Sequence, residues 1–112
     1  MLRLILNTSS GIFFTQIGLL PHILKHYEIS TTREIFDEIN EGKDIGFKDA
    51  RILMQYIQDR KIKISPVKNT GAFAKEFDIK TADASVIALA EQTNGFLATE
   101  DRQIEKICLL RG

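Results

Sequence analysis

The sequence predicts an α/β domain, a three-layer α/β/α sandwich in which helices cover both faces of a central parallel sheet. Short apolar runs typical of buried strands alternate along the chain with longer segments of helical periodicity. This alternation favours parallel strands joined by crossover helices. The chain has 112 residues, of which 44% are hydrophobic and 27% charged, so we expect residues 1–112 to form a single domain.

Four segments have the pattern of strands. The first is a short apolar run, and the polar segment 7–11 after it predicts a turn. The third alternates apolar and charged residues, and Pro66 ends it because proline cannot donate a hydrogen bond to a sheet. The predicted strands are residues 3–6, 27–30, 61–65 and 96–98.

The segments between and after these strands have apolar residues at helical spacing. Pro21 interrupts the first segment and is compatible with the start of a second helix there. Thr31 or Thr32 supplies the cap of the next helix, Thr81 caps the strongest one, and Asn94-Gly95 closes it. The predicted helices are residues 12–25, the segment from Thr31 or Thr32 to Asn40, and residues 49–59, 72–77, 81–92 and 101–110.

Composition argues against several classes of protein. No apolar run is long enough to cross a bilayer and no signal peptide is recognisable, so we expect a cytoplasmic protein without membrane contact. Cys108 is the single cysteine, which excludes an internal disulfide and favours a buried structural thiol. The net charge is zero and gives no global electrostatic argument for a nucleic-acid partner.

Sites in parallel α/β sheets form beyond the carboxyl ends of the strands. The first predicted strand is followed by Asn7-Thr8-Ser9 and the last by Thr99-Glu100-Asp101. Neither segment has the glycine spacing of a phosphate-binding loop. The polar residues at these two points are therefore candidates for a site of another kind.

The helix after the second strand offers one carboxylate to such a site. Ile35, Phe36 and Ile39 define its apolar stripe, and at about 100° per residue Glu38 falls beside that stripe while Glu34 sits further round. We therefore expect Glu38 to point into a cleft. The alternative is a boundary glutamate whose carboxylate reaches water.

Asp83 is the sharper candidate. It lies on the same side of its helix as Val86 and Ile87, and a carboxylate there is costly unless it meets a cation or several donors. The alternative is that Asp83 only stabilises its helix, through the interaction of its negative charge with the positive end of the helix dipole. Because Thr81 is the expected cap, we favour a functional role for Asp83.

Oxygen ligands from separate strand ends suit a hard divalent cation. Asp101 follows the last strand, where N-capping is also a sufficient explanation, and Thr99 adds a hydroxyl beside it. Mg²⁺ and Mn²⁺ prefer carboxylate and water oxygens to nitrogen or sulfur. Such an ion can activate water and neutralise a phosphodiester.

Four segments resemble the PIN domain family, whose members are α/β nucleases that typically cleave RNA with magnesium or manganese. They occur in the family's order and spacing and span nearly the whole chain. The matching segments are Asn7–Ser9, Thr31–Ile39, Ala82–Ala90 and Leu97–Arg102.

The resemblance implies a role for individual residues. Glu38, Asp83 and Asp101 take the family's acidic, metal-binding positions, and Thr99 takes its hydroxyl position. Asn7 stands where the family has its first acid, an Asp. An amide oxygen can ligate a metal but carries no charge, so the hypothesis is that Asn7 weakens metal affinity and lowers or abolishes turnover. It is either a natural divergence or an inactivating change.

The family also usually continues into a final edge strand beyond the position of Gly112. We expect either a shortened chain or a member that does without this strand. Ser9 takes the polar position that follows the first acid in the family.

The resemblance predicts a PIN-type endoribonuclease in which metal-bound water attacks the phosphodiester without a covalent enzyme intermediate. The alternative is a catalytically inactive PIN-fold domain that binds RNA or protein. A signalling receiver domain is disfavoured, because its acids should follow the first and third strands, where Asn7 and Ser65-Pro66 stand. The family includes toxins paired with an antitoxin protein and ribosomal RNA-processing nucleases, and its members often form homodimers.

Two further sets of residues could bind a ligand. His22 and His26 share one helical face, but the remaining ligands of a zinc site are absent. Basic residues near the expected cleft are candidate phosphate contacts, although surface solubility explains any one of them. These are Arg33, Lys43, Lys48, Arg51 and Arg102.

Overall fold

The computed structural model describes residues 2–44 and 48–98, the side chains of residues 43 and 44 aside. Their strands form one sheet in which every pairing is parallel, in the order β3-β2-β1-β4. The strands are β1 (Leu2–Leu6), β2 (Tyr27–Thr31), β3 (Ile62–Ile64) and β4 (Phe96–Ala98). The predicted parallel sheet is confirmed.

Six helices flank the sheet in the described part of the chain, which confirms the three-layer α/β/α class. They are α1 (Thr8–Gln16), α2 (Leu20–His26), α3 (Arg33–Asp44), α4 (Lys48–Gln58), α5 (Thr70–Phe77) and α6 (Thr81–Thr93). None of these helices is long and apolar enough to cross a membrane.

The strand register brings the carboxyl ends to one level. Leu6 pairs with Ala98, and Ile5 pairs with Ser30, so β1, β2 and β4 end side by side. The Thr31 hydroxyl donates a 2.8 Å hydrogen bond to the carbonyl oxygen of Leu6 and fastens the first two ends together. Because β2 lies on one side of β1 and β4 on the other, the strand order reverses at β1, where binding sites of this fold class form.

The helix α6 is buried on more than one side. Val86 and Leu89 belong to the main core with the strands and α2–α4, whereas Ala84, Ile87 and Ala88 pack with Phe73 of α5 in a second cluster. All six residues from Ala84 to Leu89 are buried. A helix buried on several sides has no single apolar stripe. The sequence predicts one inner side of α6, whereas a larger part of its surface is buried in the structure.

The segment 7–11, predicted as a turn, instead begins α1. Asn7 is the N-cap, and its side chain and that of Ser10 form a reciprocal capping box. Gly11 permits the close approach of α1 to α4, since a Cβ there would lie 2.8 Å from Cδ2 of Leu53. The start of α1 therefore depends on Asn7 as its cap. Gly11, a residue type common in turns, lies inside this helix.

The expected cap of α6 is also wrong by one residue. Lys80 occupies the N-cap position without a side-chain cap hydrogen bond, and Thr81 is already helical. Burial on two sides stabilises this helix in place of a cap. At its other end Asn94 adopts the left-handed conformation and the Gly95 amide donates to the Ala90 carbonyl, as the Asn-Gly pair predicts.

Candidate active site

Asn7 lies at the switch point, directly after β1, and only 4% of its surface is exposed. Its Oδ1 accepts a hydrogen bond from the Ser10 amide at 2.9 Å and another from the Ser9 hydroxyl at 3.2 Å. These bonds engage both lone pairs of the amide oxygen. A cation at Asn7 Oδ1 would therefore have to displace the exposed Ser9 hydroxyl, which can rotate away without breaking the cap.

Asp83 lies in the first turn of α6 and is half-buried. The buried residues from Ala84 to Leu89 follow it directly, so the helix passes from solvent into the core just after this carboxylate. Lys80 provides no side-chain cap bond. A carboxylate at Asp83, in the first turn, also interacts favourably with the positive end of the helix dipole. The structure thus places Asp83 at the boundary of the core, where both explanations given for it remain physically sound.

A chain of hydroxyl hydrogen bonds ties α3 to α6. The Ile35 amide donates to Thr32 Oγ1 at 3.2 Å, and Thr32 Oγ1 lies 2.6 Å from Ser85 Oγ. The Ser85 hydroxyl donates to the Ala82 carbonyl at 2.6 Å, so its single proton is used and Thr32 must donate to Ser85. This buried link fixes the first turn of α3 against the first turn of α6, and therefore positions the two helices that carry the candidate acids.

Glu34 and Glu38 of α3 differ in how far the fold encloses them. Glu38 is exposed and lines an open cleft of about 420 Å³ together with Thr8, Ile12 and Ala50. Glu34 is half-buried, and its Oε2 is buried without a hydrogen-bond partner in the described part of the structure. Glu34 lies one turn nearer the start of α3, which follows the end of β2.

The apolar pattern of α3 does not point to Glu34, because Glu34 lies far round the helix from the apolar stripe. The signal that points to it is its place in the chain, three residues after Thr31, the last residue of β2. That position belongs to the strand-end segments in which sites of this fold class occur.

The predicted residues of the last strand end, Thr99 and Asp101, lie outside the described residues, as do Arg102 and Cys108. The last described residue of β4 is Ala98, whose partner Leu6 directly precedes Asn7. Within residues 2–44 and 48–98, no three His, Cys, Asp or Glu side chains form a metal-binding group. Of the three carboxylates predicted to bind metal, Glu38 and Asp83 lie in the described part of the chain.

The donors at this end of the sheet fit a hard divalent cation. They are carboxylate and amide oxygens, the ligand type that Mg²⁺ and Mn²⁺ prefer. Glu34 Oε2 and Thr8 Oγ1 are buried oxygens without hydrogen-bond partners among the described residues. An unpartnered buried carboxylate oxygen is costly, and a cation would remove that cost.

The candidate phosphate contacts have different surroundings. Arg33 pairs with Asp37 at 3.3 Å, and its guanidinium carbon lies 4.9 Å from the centre of the Phe36 ring. Lys48 and Arg51 are exposed on α4. The side chains of Lys43 and Arg102 are outside the described residues.

The two histidines lie next to each other on the surface of α2. Their ring centres are 5.0 Å apart, and both side chains are exposed. They lie on a helix that ends where β2 begins, at the opposite end of that strand from Thr31. They are therefore not part of the strand-end site.

Comparison with known proteins supplies a family and a fold. A family profile described as a PIN domain matches residues 3–110. The solved structure of PAE2754 from Pyrobaculum aerophilum is similar with a TM-score of 0.66 and 16% sequence identity, over 94% of this chain and 85% of that one. At this identity the likeness concerns the fold alone. No curated protein matches the sequence.

Proposed function

The chain belongs to the PIN domain family, whose members are generally nucleases, and we propose that it is an endoribonuclease that hydrolyses RNA phosphodiesters with Mg²⁺ or Mn²⁺. The observation that carries the proposal is the half-buried carboxylate of Asp83 in the first turn of α6, within a family match that spans residues 3–110. Asn7, at the family's first acidic position, makes it a weakened member.

The proposed roles follow the family pattern. Glu38, Asp83 and Asp101 hold the ion, and Asn7 keeps α1 in place while contributing an uncharged oxygen. Thr99 orients groups at the end of β4. Bound Mg²⁺ or Mn²⁺ supplies charge neutralisation and an activated water. The exposed Lys48 and Arg51 contact phosphates of the RNA.

Cleavage of labelled RNA in Mg²⁺ or Mn²⁺ tests the proposal. We expect Asp83→Asn to lower the cleavage rate by roughly 100-fold or more, the scale of losing a group that acts on transition-state charge. Asp59→Asn is the matched control, since Asp59 is exposed beyond the end of α4 and bonds only to Gln55 among the interactions described for it. Equal loss in both variants, or none in Asp83→Asn, would contradict the assignment.

The replacement of an acid by Asn7 favours one second candidate, a PIN-fold domain that binds RNA or protein without cutting. The same assay separates the two. RNA that stays intact with either metal, yet binds the chain, supports the non-catalytic function. Cleavage that requires metal and Asp83 supports the nuclease.

Family resemblance also suggests protein partners, either a second copy or an antitoxin. Phe13, Ile17 and Leu19 expose 40%, 49% and 39% of their surface, more than apolar side chains of a fully covered helix pair would. We propose that these side chains take part in self-association. Light scattering of the chain and of Ile17→Asp gives the test, with loss of a dimeric mass expected in the variant.

A further inference from the structure

An open groove runs along β3, at one edge of the sheet. Among the described strands, β3 stands at the end of the order and pairs only with β2. The groove has a volume of about 470 Å³ and lies between β3 and the end of α4. We call this surface the β3 edge; its lining residues are Ile57, Gln58, Arg60 and residues 62–66.

The main chain of β3 directs hydrogen-bonding groups away from β2. Successive residues of a strand turn their amide and carbonyl groups to opposite sides. The Ser65 amide donates to the Thr31 carbonyl at 2.9 Å, so Ser65 and, two residues earlier, Lys63 face β2. Ile62 and Ile64 alternate with them and therefore turn their amide and carbonyl groups outward. Such groups on an edge strand can pair with a further strand.

The side chains of the β3 edge combine apolar surface with positive charge. Ile64 exposes 39% of its surface, and Pro66 is exposed two residues later. Arg60 and Lys63 are exposed cations of the lining, which contains no acidic residue. The groove therefore suits an occupant that is both apolar and negatively charged.

No described acid neutralises these cations. Asp59, next to Arg60 in the chain, accepts a 2.9 Å hydrogen bond from the side-chain amide of Gln55. The ion pairs found within residues 2–44 and 48–98 involve neither Arg60 nor Lys63. Lys61 adds a third exposed positive charge to this short segment. The β3 edge is thus a positively charged strand edge.

The charge selects among the possible occupants. Lysine on an edge strand prevents pairing between copies of a protein, and two copies meeting here would bring their Arg60 and Lys63 side chains together. Opposite charges on neighbouring strands instead stabilise the pairing, so a strand that carries acids is favoured. RNA is attracted by the same cations, but it has no peptide backbone to pair with the outward groups of Ile62 and Ile64.

We propose that the β3 edge binds an acidic, extended segment of a partner protein, which adds to the sheet as a further strand beside β3. The main-chain groups of Ile62 and Ile64 bond to this segment. Its acids meet Arg60 and Lys63, and its apolar side chains pack on Ile64. Because β2 separates β3 from β1, this binding does not depend on the proposed metal site.

Fluorescence polarisation with a labelled octapeptide of alternating glutamate and valine tests the proposal on the full chain. We expect this peptide to bind, and the same peptide with lysine in place of glutamate to bind roughly tenfold more weakly, because like charges then face each other. Lys63→Glu should weaken binding of the acidic peptide by roughly fivefold or more for the same reason. Lys75→Glu, at an exposed lysine of α5, is the matched control and should bind as the parent does.

Main-chain pairing is tested on the peptide, which leaves the fold of the protein unchanged. One peptide carries N-methyl groups on its glutamate amides and another on its valine amides. A paired strand uses the amides of one side, so at least one of the two should bind roughly tenfold more weakly through the loss of two or more hydrogen bonds. Equal binding of both methylated peptides and the parent peptide would overturn strand addition.

Three other outcomes would also overturn the proposal. One is the absence of acidic-peptide binding at millimolar concentration, or binding that Lys63→Glu leaves unchanged. Another is an RNA oligonucleotide that displaces the peptide and is itself bound more weakly by Lys63→Glu, which would assign the β3 edge to RNA. The third is a dimeric mass in light scattering that Ile64→Asp reduces to that of a monomer, which would assign it to a second copy.

Discussion

At the end of β1 the amide oxygen of Asn7 accepts bonds from Ser9 and Ser10. Asparagine and aspartate are equally good N-caps, so the fold is compatible with either residue at this position. Under the proposed function, an Asp at this position would add a charge to the site and keep the cap.

Asn7→Asp should raise both Mn²⁺ affinity and RNA cleavage, because it adds a charge at the predicted metal site and leaves the cap in place. Calorimetry and a cleavage assay give the two readouts. Asn69→Asp is the matched control, since Asn69 is the exposed N-cap residue of α5 and makes no side-chain cap bond. Equal affinity and equal cleavage in Asn7→Asp and the parent would contradict the hypothesis that Asn7 weakens the site.

Among the elements, α3 and α6 are held together by hydroxyl groups as well as by apolar packing. Thr32 and Ser85 are both fully buried, and their hydrogen bond joins residues 53 positions apart in the chain. Each first turn is therefore fixed relative to the other. Glu34 and Asp83, which lie in these two turns, take their relative position from this contact.

Ser85→Ala should lower the free energy of unfolding by about 1–3 kcal/mol, the cost of leaving a buried hydroxyl unpaired. Adding Thr32→Val should cost less than the sum of the single changes, because the unpaired partner is then removed as well. Urea denaturation measures both effects. Thr15→Val, which removes only a local bond to the Gly11 carbonyl, is the comparison and should cost less. Strict additivity would show that the two hydroxyls do not act as a pair.

The junction of α6 and β4 depends on the absence of a side chain at Gly95. A Cβ there would lie 2.8 Å from Ile5 Cδ1 and 3.3 Å from the Arg3 carbonyl oxygen. Gly95→Ala should therefore destabilise the protein by about 1–3 kcal/mol through overpacking. Gly71→Ala in α5 meets no atom within 4 Å and should instead stabilise it by about 0.5–1 kcal/mol. Thermal unfolding compares the two, and equal shifts would contradict the packing argument.

For the molecule as a whole, a net charge of zero means that the proposed RNA binding depends on local cations. If Lys48, Arg51 and Arg33 each contact a phosphate, the logarithm of the affinity should fall with the logarithm of salt concentration at a slope of about −2. Lys48→Gln should make that slope less steep by roughly 0.7. Lys75→Gln on α5 is the control. Binding that is insensitive to salt would exclude an electrostatic RNA interface.

The amino-acid pattern is sufficient to predict the strands, the parallel sheet and the place of Asp83 at the start of a strong helix. These features depend on periodicity, which is a property of residues close together in the chain. Contacts between distant residues are needed to know that Glu34 is more enclosed than Glu38, that Thr32 meets Ser85 and that α6 is buried on several sides. The reason is that a helical pattern defines one apolar side, while the strand ends and neighbouring helices decide which of its flanks is also covered.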